Sequence, residues 1–378
     1  MTRQPAAPTS DAFPTLFSAA TLDRLLLRNR LVVAPMTRIS AAPGGLATEE
    51  MGEYYATYAR GGFGLIITEG TYTDEAFSQG YRGQPGIANE AQRDSWRKVV
   101  DAVHAEGAPI VMQLIHAGAL IQHNDYVDHA IAPSAVEPVG EQAKHYHGVG
   151  TFPVPREITR DQMVDVAEGF GAAAVRAMEA GFDGVEIHGA NGYILDQFLT
   201  DYANKRTDEY GGPVEHRIRF HLDVLRAVKA AVRDRIPVGI RISQTKVNDL
   251  AHEWKGGLHD AQVVFSALGR ARPSYVHISA HKGCHEVFGS NLSLAGLAKK
   301  FSRTSVIACG KLQDPEAAEK LLADGEADLA AMAKGALADP NWPLSVADGE
   351  TPIAFDPGMI QPLATLENTA RWRREDSP

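Results

Sequence analysis

Short apolar runs recur along the chain and alternate with longer segments whose apolar residues follow helical spacing. Each run has the length and the β-branched content of a buried strand. The pattern predicts eight strands, at positions 31–34, 65–67, 110–115, 183–187, 238–242, 275–279, 305–308 and 328–332. Strands that alternate with helices in one unbroken series are typical of a single-domain (β/α)8 TIM barrel, a fold of the α/β class.

Capping signals mark where several of the intervening helices begin. Thr48 precedes two glutamates and predicts a helix start, and Thr159 with Gln162 predicts a capping box. Asp314-Pro315 and Asp339-Pro340 each predict an aspartate cap followed by proline at the first helical position. These caps place helices between the predicted strands, as the barrel requires.

The end of the first strand separates the barrel from its main alternative, a doubly wound sheet. That fold expects a glycine-rich phosphate-binding turn directly after its first strand. Here the strand ends at Pro35-Met36-Thr37, which cannot form such a turn. The pattern therefore favours the barrel.

The other segments are assigned around this barrel, which we place at residues 13–350. Residues 1–12 predict a disordered tail, and Leu22 to Leu27 predict a small hairpin that covers the barrel floor. A long loop follows the third strand, and residues 351–378 form a C-terminal extension. A loop of this length is usually functional or lid-like.

The long loop contains four histidines, and four histidines raise the possibility of a metal site. They are His123, His129, His145 and His147. Their spacing matches no metal-binding motif, so we interpret the segment as a solvated loop without a metal.

Composition narrows the function classes. Hydrophobic residues make up 44% of the chain, which is ample for a large core, and the net charge is −10. No basic patch with interleaved aromatic residues is present, so no nucleic-acid partner is expected. Cys284 and Cys309 lie far apart without CxxC spacing, which argues against a disulfide framework or a zinc site. Without a signal-peptide pattern or a run of 18 apolar residues, we expect a soluble, cytoplasmic protein outside the membrane.

Polar residues that suit catalysis follow the fourth predicted strand. His188, Asn191 and Tyr193 come off its carboxyl end, which faces the active site in a parallel barrel. Histidine and asparagine offer neutral N–H donors and tyrosine offers an O–H, so the group can polarise one oxygen and then deliver a proton. The alternative is that His188 and Asn191 only fasten a loop.

The other strand ends suggest a bound nucleotide-like flavin. Glycine after strand seven and a cation after strand eight fit the phosphate site that barrels often build there. Gln113 suits an amide-like ring edge, and Arg241 suits a forming anion, although Arg241 could instead pair with Glu69 or Glu186. Phosphate, amide edge and anion together indicate flavin mononucleotide (FMN).

Several long motifs, in order, carry a specific resemblance. They are LRNRLVVAPMTR (27–38), GLIITEG (64–70), QLIHAG (113–118), HGANGYILDQFL (188–199), NKRTDEYGG (204–212), the Arg241 strand and GSNLSLAGLAKK (289–300). The chain resembles the old yellow enzyme family of FMN-dependent NAD(P)H oxidoreductases from about residue 16 to 345. The resemblance implies an ene reductase that reduces activated C=C bonds of enones, enals, nitroalkenes or related electrophiles. In this family NAD(P)H supplies the hydride, flavin N5 passes it on, and a proton is added at the alpha carbon.

The resemblance also implies a role for each matching residue. It assigns FMN binding to Pro35, Met36, Thr37, Gly70, Gln113, Arg241, Gly310 and Lys334. Among these, Thr37 is expected to donate to flavin O4, and Gly310 and Lys334 to hold the phosphate. Carbonyl or nitro binding is assigned to His188 and Asn191, and protonation to Tyr193. A competing interpretation of Thr37 is that it merely ends a strand and bonds its own backbone.

The chain departs from the family pattern at three places. Ala333-Lys334 stands where the family usually has Gly-Arg, and lysine supplies charge without a fork. The seventh strand ends in Ala308-Cys309-Gly310-Lys311, so Lys311 is expected to share the phosphate. Ile115 stands where the family often has tryptophan, which opens space in the substrate pocket.

Two other functions stay open at this point. One is an FMN-binding flavoprotein with mainly a sensing or binding role and weak turnover. The other is a demethylase-like or dienoyl-CoA reductase relative, against which the two scattered cysteines argue, since those relatives carry a cysteine-rich iron–sulfur segment. Partners are expected to be small-molecule electrophiles, and the protein a monomer or a homo-oligomer.

Overall fold

The structure is a computed structural model that describes residues 8–375. The predicted tail, residues 1–12, falls mainly on residues 1–7, which lie outside the described residues, as do the last three residues of the C-terminal extension. Pro8 is buried.

The eight predicted strands are all present and form a closed parallel barrel. They are β1 (Leu31–Val33), β2 (Leu65–Ile67), β3 (Ile110–Ile115), β4 (Gly184–His188), β5 (Val238–Ser243), β6 (Tyr275–Ser279), β7 (Ser305–Cys309) and β8 (Leu329–Met332). Each strand pairs in parallel with the next, and β8 pairs with β1, which closes the barrel. The prediction of a (β/α)8 TIM barrel is confirmed, and the doubly wound alternative is wrong.

Helices surround the barrel and follow the strands. They are α1 (Glu49–Arg60), α2 (Glu90–Ala105), α3 (Arg160–Ala180), α4 (Ile194–Leu199), α5 (Val214–Arg217), α6 (Arg219–Val232), α7 (Leu258–Ala271), α8 (Leu294–Ser302), α9 (Pro315–Ala323), α10 (Lys334–Ala338), α11 (Trp342–Ala347) and α12 (Leu366–Glu375). Within the described part of the chain, none of them is long and apolar enough to cross a bilayer.

Three of the predicted helix caps are confirmed and one is wrong. Thr48, Thr159 and Asp314 accept hydrogen bonds from the first turns of α1, α3 and α9. Asp339 instead follows the end of α10, and α11 begins at Trp342. The carboxylate of Asp339 accepts from the backbone of Asn341 and the hydroxyl of Ser345, so it fastens the turn between two short helices.

The predicted hairpin covers the barrel floor. Strands Ala20–Leu22 and Leu25–Leu27 pair antiparallel. Leu22 and Leu27 are buried in the cluster that fills the lower barrel, together with Val32, Leu65, Val111, Tyr275, Ile307 and Leu329. The hairpin therefore closes the end of the barrel opposite the strand C-termini.

The long loop and the C-terminal extension lie over the other end. The loop between β3 and α3 contains short 3-10 turns at Gly118–Leu120 and Lys144–Tyr146 and a two-residue strand, Ile131–Ala132, that pairs with Arg156–Glu157. The extension adds a 3-10 turn at Pro357–Ile360 before α12. The Arg38 guanidinium donates to the carbonyl of Thr365 at 2.8 Å and so ties the extension to the chain just after β1.

Candidate active site

A cavity of about 410 Å³ opens at the carboxyl ends of the barrel strands. It brings together most of the residues that the sequence singled out: Pro35, Met36, Thr37, Gly70, Gln113, Ile115, His188, Asn191, Tyr193, Arg241 and Lys334. Gly310 and Lys311 do not line it. The carboxyl ends of parallel strands face one side of a barrel, which is why these residues from six separate segments meet here.

His188 ends β4 and lines the cavity as a neutral donor. Its Nδ1 accepts the backbone N–H of Ala190 at 3.3 Å, so the proton of the neutral ring lies on Nε2. Burial, followed by the charges of Arg241 and His277, holds the pKa of His188 well below its ordinary value. The ring therefore offers an uncharged N–H at neutral pH.

Asn191 occupies a backbone conformation that asparagine tolerates better than most residues. Its φ is +61°, in the left-handed region. Its backbone N–H donates to the Ser243 hydroxyl at 2.7 Å, and its carbonyl accepts from Val247 at 3.0 Å. The backbone of Asn191 thus fastens the loop, and the residue also lines the cavity. The alternative interpretation, that Asn191 only fastens a loop, therefore accounts for its backbone contacts alone.

A fully buried ion pair supports the same loop. Lys246 and Asp196 meet at 2.7 Å, with side chains that are 1% and 0% exposed. The other carboxylate oxygen of Asp196 accepts the backbone N–H of Gly192 at 2.7 Å. The buried ion pair, through Asp196, therefore holds the turn between Asn191 and Tyr193 in addition to the backbone hydrogen bonds.

Tyr193 forms a hydroxyl pair with a residue that the sequence interpretation missed. The hydroxyls of Tyr193 and Tyr81 lie 2.6 Å apart, and both residues are buried. The Tyr193 ring also packs edge-on against His188, with ring centroids 4.8 Å apart. Burial raises the pKa of Tyr193, so its hydroxyl keeps its proton at neutral pH.

Arg241 enters the cavity without a carboxylate partner. Its Nη2 donates to Ser279 at 3.3 Å and approaches the Cys309 sulfur at 3.8 Å. Within residues 8–375 its buried Nε has no hydrogen-bond partner, and it forms no direct ion pair with Glu69 or Glu186. The suggested pairing of Arg241 with either glutamate is therefore wrong. Arg241 lines the cavity with no carboxylate of the described part of the chain in direct contact, which suits an anionic group bound there.

Thr37 and Gln113 offer further polar groups to the cavity. In the described part of the chain, the Thr37 hydroxyl makes no hydrogen bond to its own backbone, so the strand-end interpretation gains no support. The amide nitrogen of Gln113 donates to Glu186 at 2.7 Å. Together with Arg241, these groups bring a hydroxyl, an amide and a guanidinium to the lining of the cavity.

Of the two lysines predicted to hold a phosphate, one lies in the cavity and the other lies outside it. Lys334 begins α10, and its Nζ lies 4.9 Å from the centroid of the Phe355 ring. Lys311 is exposed on the turn after β7. Gly310 has a φ of +141°, and a Cβ there would lie 2.1 Å from the carbonyl oxygen of Ala280, so the tight end of β7 requires glycine. The predicted sharing of the phosphate by Lys311 stays a prediction.

Loop aromatics are the main cavity-lining residues that the sequence did not single out. Tyr81, Tyr146 and Phe152 line the cavity, and Phe355 and Ile360 reach it from the C-terminal extension. The only available signal was their position in loops that follow barrel strands. His145 also lines the cavity and is half-buried, with its ring centroid 4.2 Å from that of Tyr146.

Two of the other loop histidines, His123 and His129, pair with acids away from the cavity. His123 bonds Asp125 at 2.9 Å and His129 bonds Asp128 at 2.8 Å. No group of three His, Cys, Asp or Glu side chains within residues 8–375 is arranged to hold a metal.

Comparison with known proteins gives one consistent family. The sequence profile of the NADH:flavin oxidoreductase / NADH oxidase family matches residues 15–351. A putative 12-oxophytodienoate reductase 2 of Oryza sativa subsp. japonica is 35% identical over 89% of this chain and 88% of its own length. Morphinone reductase in complex with tetrahydroNAD has a TM-score of 0.82 and 31% identity, covering 97% of both chains.

Other relatives are longer than this chain. The NADH oxidase of Thermoanaerobacter brockii is 34% identical over 89% of the chain, but the chain covers only 51% of that protein. The match to 12-oxophytodienoate reductase 7 of Oryza sativa subsp. japonica is 44% identical and covers 60% of this chain and 58% of that relative. The chain thus spans about half the length of some curated relatives that it matches. On the profile match and these similarities, the chain belongs to the NADH:flavin oxidoreductase / NADH oxidase family, which confirms the resemblance to the old yellow enzymes and FMN as the cofactor.

Proposed function

We propose that the protein is an NAD(P)H-dependent ene reductase that reduces activated C=C bonds of enones, enals, nitroalkenes or related electrophiles. The observation that carries the proposal is the convergence of two neutral donors, His188 and Asn191, with the protonated hydroxyl of Tyr193 in one cavity. Relatives named 12-oxophytodienoate reductase and morphinone reductase add support, because both names describe reductases. A flavoprotein that only senses or binds would need none of the three side chains.

The cofactor would be held by residues that line the cavity. Thr37 and Gln113 would hydrogen-bond the ring, Arg241 would face its anionic end, and Lys334 would hold the phosphate. Bound FMN would supply the hydride chemistry between the nicotinamide and the acceptor. The Arg241 guanidinium supports this arrangement, since it lines the cavity with no carboxylate of residues 8–375 in direct contact and a bound anionic group would offset its charge.

His188 and Asn191 would bind the activating oxygen of the acceptor. As the C=C bond is reduced, negative charge builds on that oxygen. Neutral N–H donors fixed in a buried site stabilise such charge without reorganising, and one donor is typically worth about 2.7–4 kcal/mol. The Nδ1 bond to Ala190 and the backbone bonds of Asn191 fix the two donors before the acceptor binds.

Tyr193 would deliver the proton to the alpha carbon. Its oxygen would then carry negative charge, and the Tyr81 hydroxyl, 2.6 Å away, can donate to it. Ile115 would line the acceptor side of the pocket and leave room for bulky substituents. We further propose a cytoplasmic enzyme whose partners are small molecules.

The double variant His188→Ala/Asn191→Ala tests the oxygen-binding role. It should retain FMN, lose enone reduction and lose tight binding of phenols, whose phenolate oxygen resembles the developing enolate. FMN absorbance after gel filtration, steady-state turnover and phenol titration measure the three properties. Phenol binding that survives both substitutions would show that the oxygen binds elsewhere.

A further inference from the structure

A polar cluster lies in the barrel interior, beyond the residues that line the cavity. Glu186 is two positions before His188 on β4, so the two side chains share the inward face of the strand. Glu186 and His277 are both 0% exposed. Neither lines the cavity, and the proposed reaction gives neither a role.

Hydrogen bonds link this cluster to the cavity through Gln113. One carboxylate oxygen of Glu186 accepts from Gln113 Nε2 at 2.7 Å, and the other accepts from His277 Nδ1 at 2.8 Å. Strands β3 and β4 place Gln113 and Glu186 in register, which makes the first bond short and direct. The carboxylate therefore orients the Gln113 amide so that its nitrogen points towards Glu186.

Charge in the cluster involves Arg241 as well. Burial alone would raise the pKa of Glu186, but the hydrogen bond from His277, the charge of Arg241 and the bond from Gln113 together hold that pKa below its ordinary value, so the carboxylate is ionised. Burial lowers the pKa of His277, and its Nε2 has no partner within residues 8–375, which fits a neutral ring. On the neighbouring strand β5, Arg241 lies opposite His188 and Gly239 lies opposite Glu186, so the carboxylate and the guanidinium are two positions apart along adjacent strands and share the inward face.

We propose that Glu186 is a positioning residue that orients the Gln113 amide for FMN and offsets part of the Arg241 charge that FMN experiences. The inference rests on the proposed function, in which Gln113 and Arg241 contact the cofactor. Its orienting half predicts an effect on FMN affinity, and its electrostatic half predicts an effect on the flavin potential. Reduced FMN is the more electron-rich form, so a nearby carboxylate disfavours it.

Two variants separate the halves. In Glu186→Gln the side chain keeps its length, its oxygen can accept from Gln113, and its amide can donate to His277 once the proton of that ring moves to Nε2. This variant removes the charge and keeps the bonds. Glu186→Asp keeps the charge and shortens the reach to Gln113. Glu319→Gln is the matched control, because it removes one partly buried carboxylate that accepts from Thr15 and Leu16 and does not line the cavity.

The experiment measures FMN dissociation constants and midpoint potentials of the holoenzymes. In Glu186→Gln the affinity for reduced relative to oxidised FMN should rise about tenfold, which is a rise of about 30 mV for a two-electron couple. In Glu186→Asp the affinity for oxidised FMN should fall about two- to tenfold, the effect of one lost oriented hydrogen bond, with the potential unchanged. Glu319→Gln should match the wild type in both properties.

Each outcome decides something. Wild-type potential and wild-type FMN affinity in both Glu186 variants would overturn the proposal. If Glu186→Gln does not fold, folded Glu186→Asp with unchanged FMN affinity overturns it alone. A wild-type protein that fails to bind FMN would instead overturn the proposed function, before either variant is compared.

Discussion

Breaking the buried pair of Lys246 and Asp196 should destabilise the protein more than any exposed ion pair. Burial raises the pKa of Asp196 and lowers the pKa of Lys246, in each case against the attraction of the partner. For each of the two groups, the effect of burial on the pKa is therefore larger than the effect of the partner's charge. Loss of either side chain would leave the other charge buried without a partner. Removal of one partner of such a pair typically costs about 3–5 kcal/mol. In a chain of this size that corresponds to a fall in Tm on the order of 4–6 °C.

The assay compares thermal unfolding of Lys246→Met with that of two other proteins. The matched control is Lys255→Met, because Lys255 meets Asp201 at 2.6 Å with a lysine side chain that is 79% exposed. An exposed pair contributes about 0–1 kcal/mol, so this control should stay near the wild type. The double variant Lys246→Met/Asp196→Asn should recover much of the loss, because no unpaired charge remains buried.

The same variant connects stability to the active site. Asp196 also holds the backbone of Gly192, so an unpaired carboxylate that moves towards water would carry the Asn191 turn with it. Phenol affinity should therefore fall in Lys246→Met and not in Lys255→Met. Equal Tm values for these two variants, or a double variant less stable than Lys246→Met, would refute the reasoning.

Four further outcomes follow from the cavity. Thr37→Ala should lower the flavin potential by on the order of 30–60 mV, the equivalent of about 1.5–3 kcal/mol. Stopped-flow traces should therefore show slower reduction by NAD(P)H and equal or faster reoxidation by an enone. Slowing of both half-reactions would contradict this prediction. Lys334→Ala should weaken FMN binding by about 1.5–3 kcal/mol in fluorescence titration. Lys311→Ala should weaken FMN binding much less, since of these two lysines only Lys334 lines the cavity. A larger loss of affinity in Lys311→Ala would assign the phosphate to Lys311. Because the pKa of His188 lies well below its ordinary value, the ring stays neutral from pH 6 to 8. Apart from ionisation of the phenol itself, phenol affinity should therefore show no step near pH ~6.5, the pKa of an unperturbed histidine. Ile115→Trp should penalise bulky β-substituted acceptors more than cyclohexenone in competition assays, and equal penalties would mean that residue 115 does not face the acceptor.

Sequence patterns predicted the barrel well because strand burial is a local signal. Each strand is short, apolar and bounded by breakers, and its carboxyl end must face the cavity once the barrel closes. His188, Gln113 and Arg241 could therefore be placed together without coordinates. Asp339-Pro340 misled because the same two residues also suit a turn between short helices, and only the tertiary position of Ser345 distinguishes the two.

The parts of the site that sequence did not reveal come from long loops. Tyr81, Tyr146 and His145 reach the cavity through segments without periodic pattern, so no spacing rule ties them to the strand ends. The sequence did not predict the inward cluster of Glu186 and His277 either, since a glutamate inside an apolar strand could contact any of several neighbours. Its partners become visible only when adjacent strands are in register.

The central claim is that this cavity passes reducing equivalents from a nicotinamide to an activated C=C bond. The most direct measurement is anaerobic: FMN-loaded protein is reduced with NADH or NADPH and then mixed with a panel of enones, enals and nitroalkenes while flavin absorbance is followed. The account predicts full reduction by at least one nicotinamide, followed by rapid reoxidation with formation of the saturated product, and slow reoxidation in His188→Ala/Asn191→Ala. Reduced FMN that persists with every acceptor in the wild-type protein would contradict it.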